Sequence, residues 1–176
     1  ALNPVGSHYD NPARGGNAWD TTRAVHAIVP GGSRHDQYRR DLDRVAEFFG
    51  SCRGEGGELV PILFRPFHEH TGSWFWWGLS HATDAEFVAL FRFTVDYLRR
   101  ARGLTHLLFA FSPSGAHVDS EASYLARYPG DDYVDVLGFD HYYADDATEL
   151  VRAAEIAVRG AAAGGKVSAI TQFGLQ

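Results

Sequence analysis

Residues 61–78, PILFRPFHEHTGSWFWWG, place an acid between two histidines and follow it with three of the chain's four tryptophans. Glu69 comes directly after an apolar run typical of a buried strand, so we expect its carboxyl group at a strand end, in a cleft. Aromatic walls would keep water from this group and raise its pKa, as a general acid requires. The alternative is that Glu69 forms a surface salt bridge with Arg65.

Trp74, Trp76 and Trp77 are too close together for all three to be core residues. A strand alternates its faces and a loop exposes most of its side chains. An exposed indole beside a carboxylate suits a carbohydrate site, because its flat surface can pack on the apolar face of a sugar ring. We expect Trp74 in such a site and one of the other two packed. The alternative is that these rings only fill the mouth of the fold.

Two later runs end in polar side chains that could reach the same cleft. Asp140 and Tyr142 follow the run VDVLGF and could hold sugar hydroxyls, although a structural hydrogen bond is the alternative for Asp140. The run VSAITQFG ends in Gln172. Retaining glycoside hydrolysis needs two carboxyl groups about 5–5.5 Å apart. Gln172 stands where the partner of Glu69 is expected, and an uncharged amide is a poor nucleophile.

The apolar pattern of the chain predicts an α/β fold with a parallel sheet. Four short apolar runs indicate buried strands: residues 59–64, 107–111, 134–139 and 167–171. Apolar residues at helical spacing predict three helices. The first carries Tyr38, Leu42, Val45 and Phe49, the second begins at a capping box formed by Thr83 and Glu86, and the third covers residues 148–162. Polar residues after several strands favour a (β/α)₈ TIM barrel over a doubly wound sheet. Because a complete barrel needs about 250 residues, the chain is predicted to be an incomplete section.

Composition excludes several classes of function. The net charge is −6 with no basic stripe, so we expect no nucleic-acid partner. No apolar run is long enough for a membrane helix, and a single cysteine, Cys52, forbids an intramolecular disulfide. No spacing of His, Asp and Glu indicates a metal site, and residues 131–132 are interpreted as structural. The chain has no methionine, so we expect the natural protein to be longer.

At LFRPFHEHTGSWFWWG the sequence resembles glycoside hydrolase family 26, whose best-known members are β-mannanases. Further matches cover nearly the whole chain: HYDNPARGGNAWD, VHAIVPGG, FSPSG, YPGDDYVDVLGFDHYY and ITQFG. The resemblance implies a (β/α)₈ barrel with the acid/base after strand four and the nucleophile after strand seven. Residues 1–176 would then be a single catalytic-domain section, with about strands 3 to 7 of the barrel.

The resemblance also implies roles for individual residues. Glu69 resembles the acid/base, and Gln172 occupies the nucleophile position, where the family has Glu. His68 would contact substrate and help to set the acid, and Tyr142 would hydrogen-bond the nucleophile. The full set of substrate-binding residues implied in this way is His68, Trp74, Tyr142, Asp140, His8 and Trp19.

The sequence therefore predicts a retaining endo-β-1,4-mannanase acting on mannan or galactomannan, impaired because Gln172 replaces the nucleophile. No cofactor or metal is expected, the partner is a polysaccharide, and we expect a secreted monomer with no membrane association. Gln172 is explained either by an engineered change from Glu, made to trap substrate, or by a naturally inactive protein. The second explanation gives one alternative function, a non-catalytic polysaccharide-binding pseudoenzyme. Another is the same fold acting on β-1,3-xylan or mixed-linkage β-glucan.

Overall fold

A computed structural model describes residues 23–142 and 147–174 of the chain. Its four strands form one parallel sheet in chain order: β1 (Ile62–Phe64), β2 (Leu107–Phe111), β3 (Val136–Tyr142) and β4 (Val167–Gly174). Each strand is joined to the next through at least one helix, because parallel neighbours need a crossover connection. The predicted α/β class is therefore what the described residues form.

The helices are α1 (Ala24–Ile28), α2 (His35–Ser51), α3 (Asp84–Val95), α4 (Glu121–Leu125) and α5 (Ala147–Gly164), and α3 continues as a π-helical turn over Asp96–Ala101. The predicted capping box is confirmed: Thr83 accepts a hydrogen bond from the Glu86 amide, and the Glu86 carboxylate accepts one from the Thr83 amide. This reciprocal pair satisfies two amide groups at the start of α3. None of the described helices is long and apolar enough to cross a lipid bilayer.

The core lies between the helices and one face of the sheet. Alternate residues of β2, Leu107, Phe109 and Phe111, are buried there and meet aromatic side chains of α3 such as Phe91. Within the described residues the other face is open near its amino end, whereas Ser112 and Asp140 are buried near its carboxyl end. Leu63, its register neighbour Leu108, and Val167 are 52%, 47% and 63% exposed on that face.

Four strand boundaries differ from the prediction, including the start of β3 at Val136 instead of residue 134. The first strand begins at Ile62 instead of residue 59, because Pro61 has no amide hydrogen to donate, whereas the Ile62 amide bonds His106 O. β3 and β4 run on to Tyr142 and Gly174, because their pairing continues beyond an irregularity between Phe139 and Asp140. Asp140 and Tyr142 therefore lie within a strand, not after one.

Candidate active site

The backbone around Glu69 adopts a conformation that side chains other than glycine rarely take. Phe67 and Glu69 have φ of 54° and 52°, in the left-handed region. Such residues cost about 1–3 kcal/mol each and persist only where their surroundings fix them. Here the Glu69 amide donates to Ser112 O at the end of β2 (2.7 Å), and Glu69 O accepts from the Gly72 amide (2.9 Å). These bonds fix the backbone at residue 69 against the end of β2.

The Glu69 carboxyl group is half-buried and bonded to an indole. Trp74 Nε1 donates to Glu69 Oε2 at 2.8 Å. Burial raises the pKa of Glu69, the Trp74 hydrogen bond and the Arg65 cation act against this shift, and the Asp140 carboxylate adds to it. The net rise has the direction predicted for a general acid. Arg65 forms its ion pair with Asp140, so the alternative of a salt bridge between Arg65 and Glu69 is wrong.

Arg65 connects three strands of the sheet. Its Nη1 donates to Asp140 Oδ2 on β3, and its Nη2 donates to Gln172 Oε1 on β4 at 2.7 Å. In a flat sheet β1 and β4 would be three strand spacings apart, roughly 14 Å, and side chains that project from one face of such a sheet would not meet across that distance. The sheet is therefore curved, and its concave face carries the polar cluster. The sequence places Arg65 beside Glu69 among the polar residues at the strand ends, but it does not predict the bonds to Asp140 and Gln172.

Asp140 is the buried anion that holds Arg65. The residue is 1% exposed, and its Oδ1 accepts from Ser112 Oγ and from Thr171 Oγ1, each at 2.7 Å. A direct contact with sugar hydroxyls was predicted for Asp140. Its position beneath Arg65, with both oxygens already bonded, favours the structural alternative.

Gln172 and Tyr142 bond each other beside the Arg65 cation. Gln172 Nε2 donates to Tyr142 Oη, while its Oε1 accepts from Arg65. Desolvation raises the pKa of Tyr142, and the negative charge of Glu69 raises it further. Hydrogen bonds connect residue 69 to residue 172: Ser112 accepts from the Glu69 amide and donates to Asp140. Arg65 in turn binds both Asp140 and Gln172.

His68 presents a neutral imidazole to the site. Its ring lies 4.8 Å from Phe75 and 5.9 Å from Trp77 between centroids. Burial, reinforced by the Arg65 cation, lowers the pKa of His68 to about 4. A neutral imidazole offers one donor and one acceptor at neutral pH, which suits contact with sugar hydroxyls.

The tryptophans divide differently from the prediction. Trp74 is partly exposed beside Glu69, at the position expected for it. Trp76 and Trp77 are both 3% exposed, although only one of them was expected to be packed. Phe67 contacts both rings, and Trp77 Nε1 also donates to His68 O at 2.8 Å. His8 and Trp19 lie outside the described residues.

No group of three or more His, Cys, Asp or Glu side chains within residues 23–142 and 147–174 could hold a metal ion. The cluster instead offers a protonatable acid, a neutral imidazole, a cation and an amide near the carboxyl end of the sheet. This set can donate a proton to a leaving oxygen and bind hydroxyl groups.

The model of Glycosyl hydrolase family 26 matches residues 2–170. The chain belongs to this family. It is 38% identical over 182 aligned residues to a mannan endo-1,4-beta-mannosidase of Bifidobacterium adolescentis, covering 99% of this chain and 18% of that protein.

Two solved structures resemble the described fold. The GH26 endo-beta-1,4-mannanase catalytic domain of Bacillus sp. JAMB-750 has a TM-score of 0.86 at 38% identity and covers 96% of this chain. The GH26 beta-mannanase BoMan26A of Bacteroides ovatus has a TM-score of 0.85 at 39% identity and covers 89%. The chain spans 47% and 46% of those two chains. The predicted incomplete section of a family 26 (β/α)₈ barrel is confirmed.

Proposed function

We propose that this family 26 chain is part of a retaining endo-β-1,4-mannanase that acts on mannan or galactomannan. We further propose that Gln172 leaves it able to bind the polysaccharide with very slow or no turnover. The observation that carries the proposal is that Arg65 donates hydrogen bonds to both Asp140 and Gln172. This places Gln172 in the same cluster as Glu69, whose pKa is raised. The name of the Bifidobacterium relative supports mannan as the substrate.

The mechanism assigns one chemical task to each of two positions. With a carboxylate at position 172, that group attacks the anomeric carbon while Glu69 gives its proton to the leaving oxygen. Glu69, now ionised, then removes a proton from water, and this water releases the sugar from position 172. The mechanism requires no metal or organic cofactor.

The neighbours of position 172 support this assignment. Arg65 Nη2 already donates to Gln172 Oε1 at 2.7 Å and would hold a carboxylate oxygen in the same place. Tyr142 Oη, which now accepts from Gln172 Nε2, would donate to a carboxylate instead. The amide therefore fits the site in shape, while it lacks the negative charge that attacks carbon. Because mannan is a polymer too large to enter cells, we also propose that the protein is secreted.

The test is the substitution Gln172→Glu in the full-length protein of which this chain is part. The measurement is the release of reducing sugar from mannan. We expect activity to rise by at least about 10³-fold, because removal of a catalytic nucleophile can cost up to about 10⁶-fold in kcat. Gln37→Glu adds the same charge on α2, away from the cluster, and serves as the matched control that should give no gain.

Two outcomes would count against the proposal. No gain in Gln172→Glu, with unchanged mannan binding, would favour a polysaccharide-binding pseudoenzyme. A gain on β-1,3-xylan or mixed-linkage β-glucan, without one on mannan, would keep the mechanism and overturn the substrate. Parallel assays on the three polymers distinguish these cases.

A further inference from the structure

Arg127 is a buried cation that bonds the segment carrying the proposed acid. This segment, the acid loop, is defined here as residues 69–82 between β1 and α3. Arg127 follows α4 and is 2% exposed. Its Nη1 donates to His70 O and Trp77 O, both at 3.2 Å, and its Nη2 donates to Ala82 O. One guanidinium thus binds carbonyl groups near the start, the middle and the end of the acid loop.

The remaining contacts of the guanidinium fix its plane. Its Nε donates to Asp84 Oδ1 at 2.8 Å, and its carbon lies 5.2 Å from the centroid of the Phe87 ring. Asp84 has a side chain that is 59% exposed, so water screens the single carboxylate partner. Peptide carbonyls supply most of the compensation for this buried charge. An arginine offers five donors in a planar fork, and a lysine cannot reproduce that geometry.

The side chain that follows the acid contributes no comparable directional bond. The His70 imidazole lies between Phe87 and Phe111, at 4.5 and 4.7 Å between centroids. Neither of its nitrogens has a hydrogen-bond partner within the described part of the chain. The ring can therefore pack in the core without setting the orientation of the peptide at residues 69–70. The Arg127 bond to His70 O supplies that orientation.

We propose that Arg127 is a positioning residue, which holds Glu69 and Trp74 in their working geometry through the acid loop. Glu69 immediately precedes the carbonyl that Arg127 binds first. Trp74, which bonds the Glu69 carboxylate, lies between the carbonyls of His70 and Trp77. Arg127 has no part in the chemistry itself. This inference rests on the proposed function, in which Glu69 donates a proton to the leaving oxygen.

Arg99 provides a matched control at the other end of the sheet. Its Nη groups donate to Asp132 O, Leu107 O and the Asp135 carboxylate, and its carbon lies 5.0 Å from the Phe109 centroid. Like Arg127, it binds backbone carbonyls, one carboxylate and one ring, although it binds two carbonyls where Arg127 binds three. Arg99 lies away from the acid loop. Arg99→Lys therefore tests the loss of comparable guanidinium hydrogen bonds without affecting Glu69.

The experiment compares Arg127→Lys and Arg99→Lys in the full chain carrying Gln172→Glu. The substrates are two aryl β-mannotriosides, one with a phenol leaving group that needs protonation and one with dinitrophenol, which does not. In Arg127→Lys we expect kcat/KM to fall about 100-fold on the phenyl substrate, as for an acid displaced by roughly 1 Å, and to change little on the dinitrophenyl substrate. Arg99→Lys should treat both substrates alike.

An equal loss on both substrates, or no loss on either, would overturn the inference. If Arg127→Lys does not fold, Asp84→Asn removes the carboxylate that orients the guanidinium. It should produce a smaller loss with the same leaving-group dependence, and a uniform loss would overturn the inference. A Gln172→Glu parent inactive on both substrates would overturn the proposed function as well. An active parent with non-selective variants overturns the role of Arg127 alone.

Discussion

Each end of the parallel sheet has an ion pair between an arginine and an aspartate, and the two pairs differ in burial and in the groups that they bond. At the carboxyl end, Arg65 pairs with Asp140, whose side chain is fully buried. At the amino end, Arg99 pairs with Asp135, and both side chains keep over a quarter of their surface exposed. Asp135 also accepts from the Phe109 amide at 2.8 Å. The side chain of Asp135, which directly precedes β3, thus satisfies a backbone amide of β2.

The carboxyl-end pair instead leaves groups available to a ligand. Arg65 has a second nitrogen on Gln172, and the acid loop beside it holds Glu69 against Trp74. Phe67 and Glu69, the non-glycine residues with positive φ within residues 23–142 and 147–174, also lie at this end. Strain and buried charge therefore coincide where the chemistry is proposed, as expected for the carboxyl-end face of a barrel.

The largest effect should come from Glu69→Gln in the Gln172→Glu parent. General acid–base catalysis contributes about 10²–10⁴-fold, so we expect a loss in kcat/KM on mannan within that range. Glu47→Gln removes the same charge from α2 and should have little effect. A loss under about tenfold for Glu69→Gln would contradict the assignment of the acid.

The second prediction compares the two ion pairs through Arg65→Met and Arg99→Met. Removing Arg65 leaves the Asp140 charge buried and unpaired, which should lower the free energy of unfolding by about 3–5 kcal/mol. Removing Arg99 breaks a partly exposed pair and should cost about 1 kcal/mol or less. Urea denaturation at neutral pH measures both values. Equal losses in the free energy of unfolding would contradict the difference in burial between the two ion pairs.

The third prediction concerns His70 at the carboxyl end. Burial lowers the pKa of His70 to about 3, from an ordinary value of 6.5, so the folded protein keeps the ring neutral. Below pH 6.5 the unfolded chain binds a proton that the folded chain does not, and stability is lost as the pH falls. His70→Met, which keeps the volume, should recover about 2.5 kcal/mol of that loss at pH 4.5 relative to pH 7. Identical pH dependence of unfolding in parent and variant would contradict the buried, neutral state.

The smallest effect is expected from Trp74→Phe in the Gln172→Glu parent. The Trp74 hydrogen bond lowers the pKa of Glu69 against the opposing effect of burial, so its loss should raise that pKa. Glu69 must be protonated to act as the acid, so the alkaline limb of the kcat/KM profile should move to higher pH. Trp76→Phe changes a buried ring that has no such bond and should leave this limb in place. A shift to lower pH in Trp74→Phe would contradict the account.

Local signals in the sequence predicted some elements closely. β2 runs over Leu107–Phe111 as expected, and the capping box at Thr83 and Glu86 is present. These features depend on short apolar runs and on residues three positions apart. The ends of β3 and β4 could not be predicted, because they depend on pairing between strands that are distant in sequence.

The position of Glu69, Trp74 and Gln172 on strand ends and loops was inferred from sequence, but the contacts among their neighbours were not. Arg65 meets Asp140 and Gln172 across 75 and 107 positions of the chain. Those contacts depend on the curvature of the sheet, which no single segment encodes. Burial of both Trp76 and Trp77 depends likewise on packing against Phe67.

The most direct test of the central claim is a crystal structure of the protein with Gln172 in place, bound to a mannan oligosaccharide. We predict one sugar ring with its anomeric carbon facing Gln172, about 3–3.5 Å from a side-chain oxygen or nitrogen. The glycosidic oxygen of the same ring should lie within hydrogen-bond reach of the Glu69 carboxyl group. An oligosaccharide bound elsewhere, or one in which residues 69 and 172 contact different rings, would contradict it.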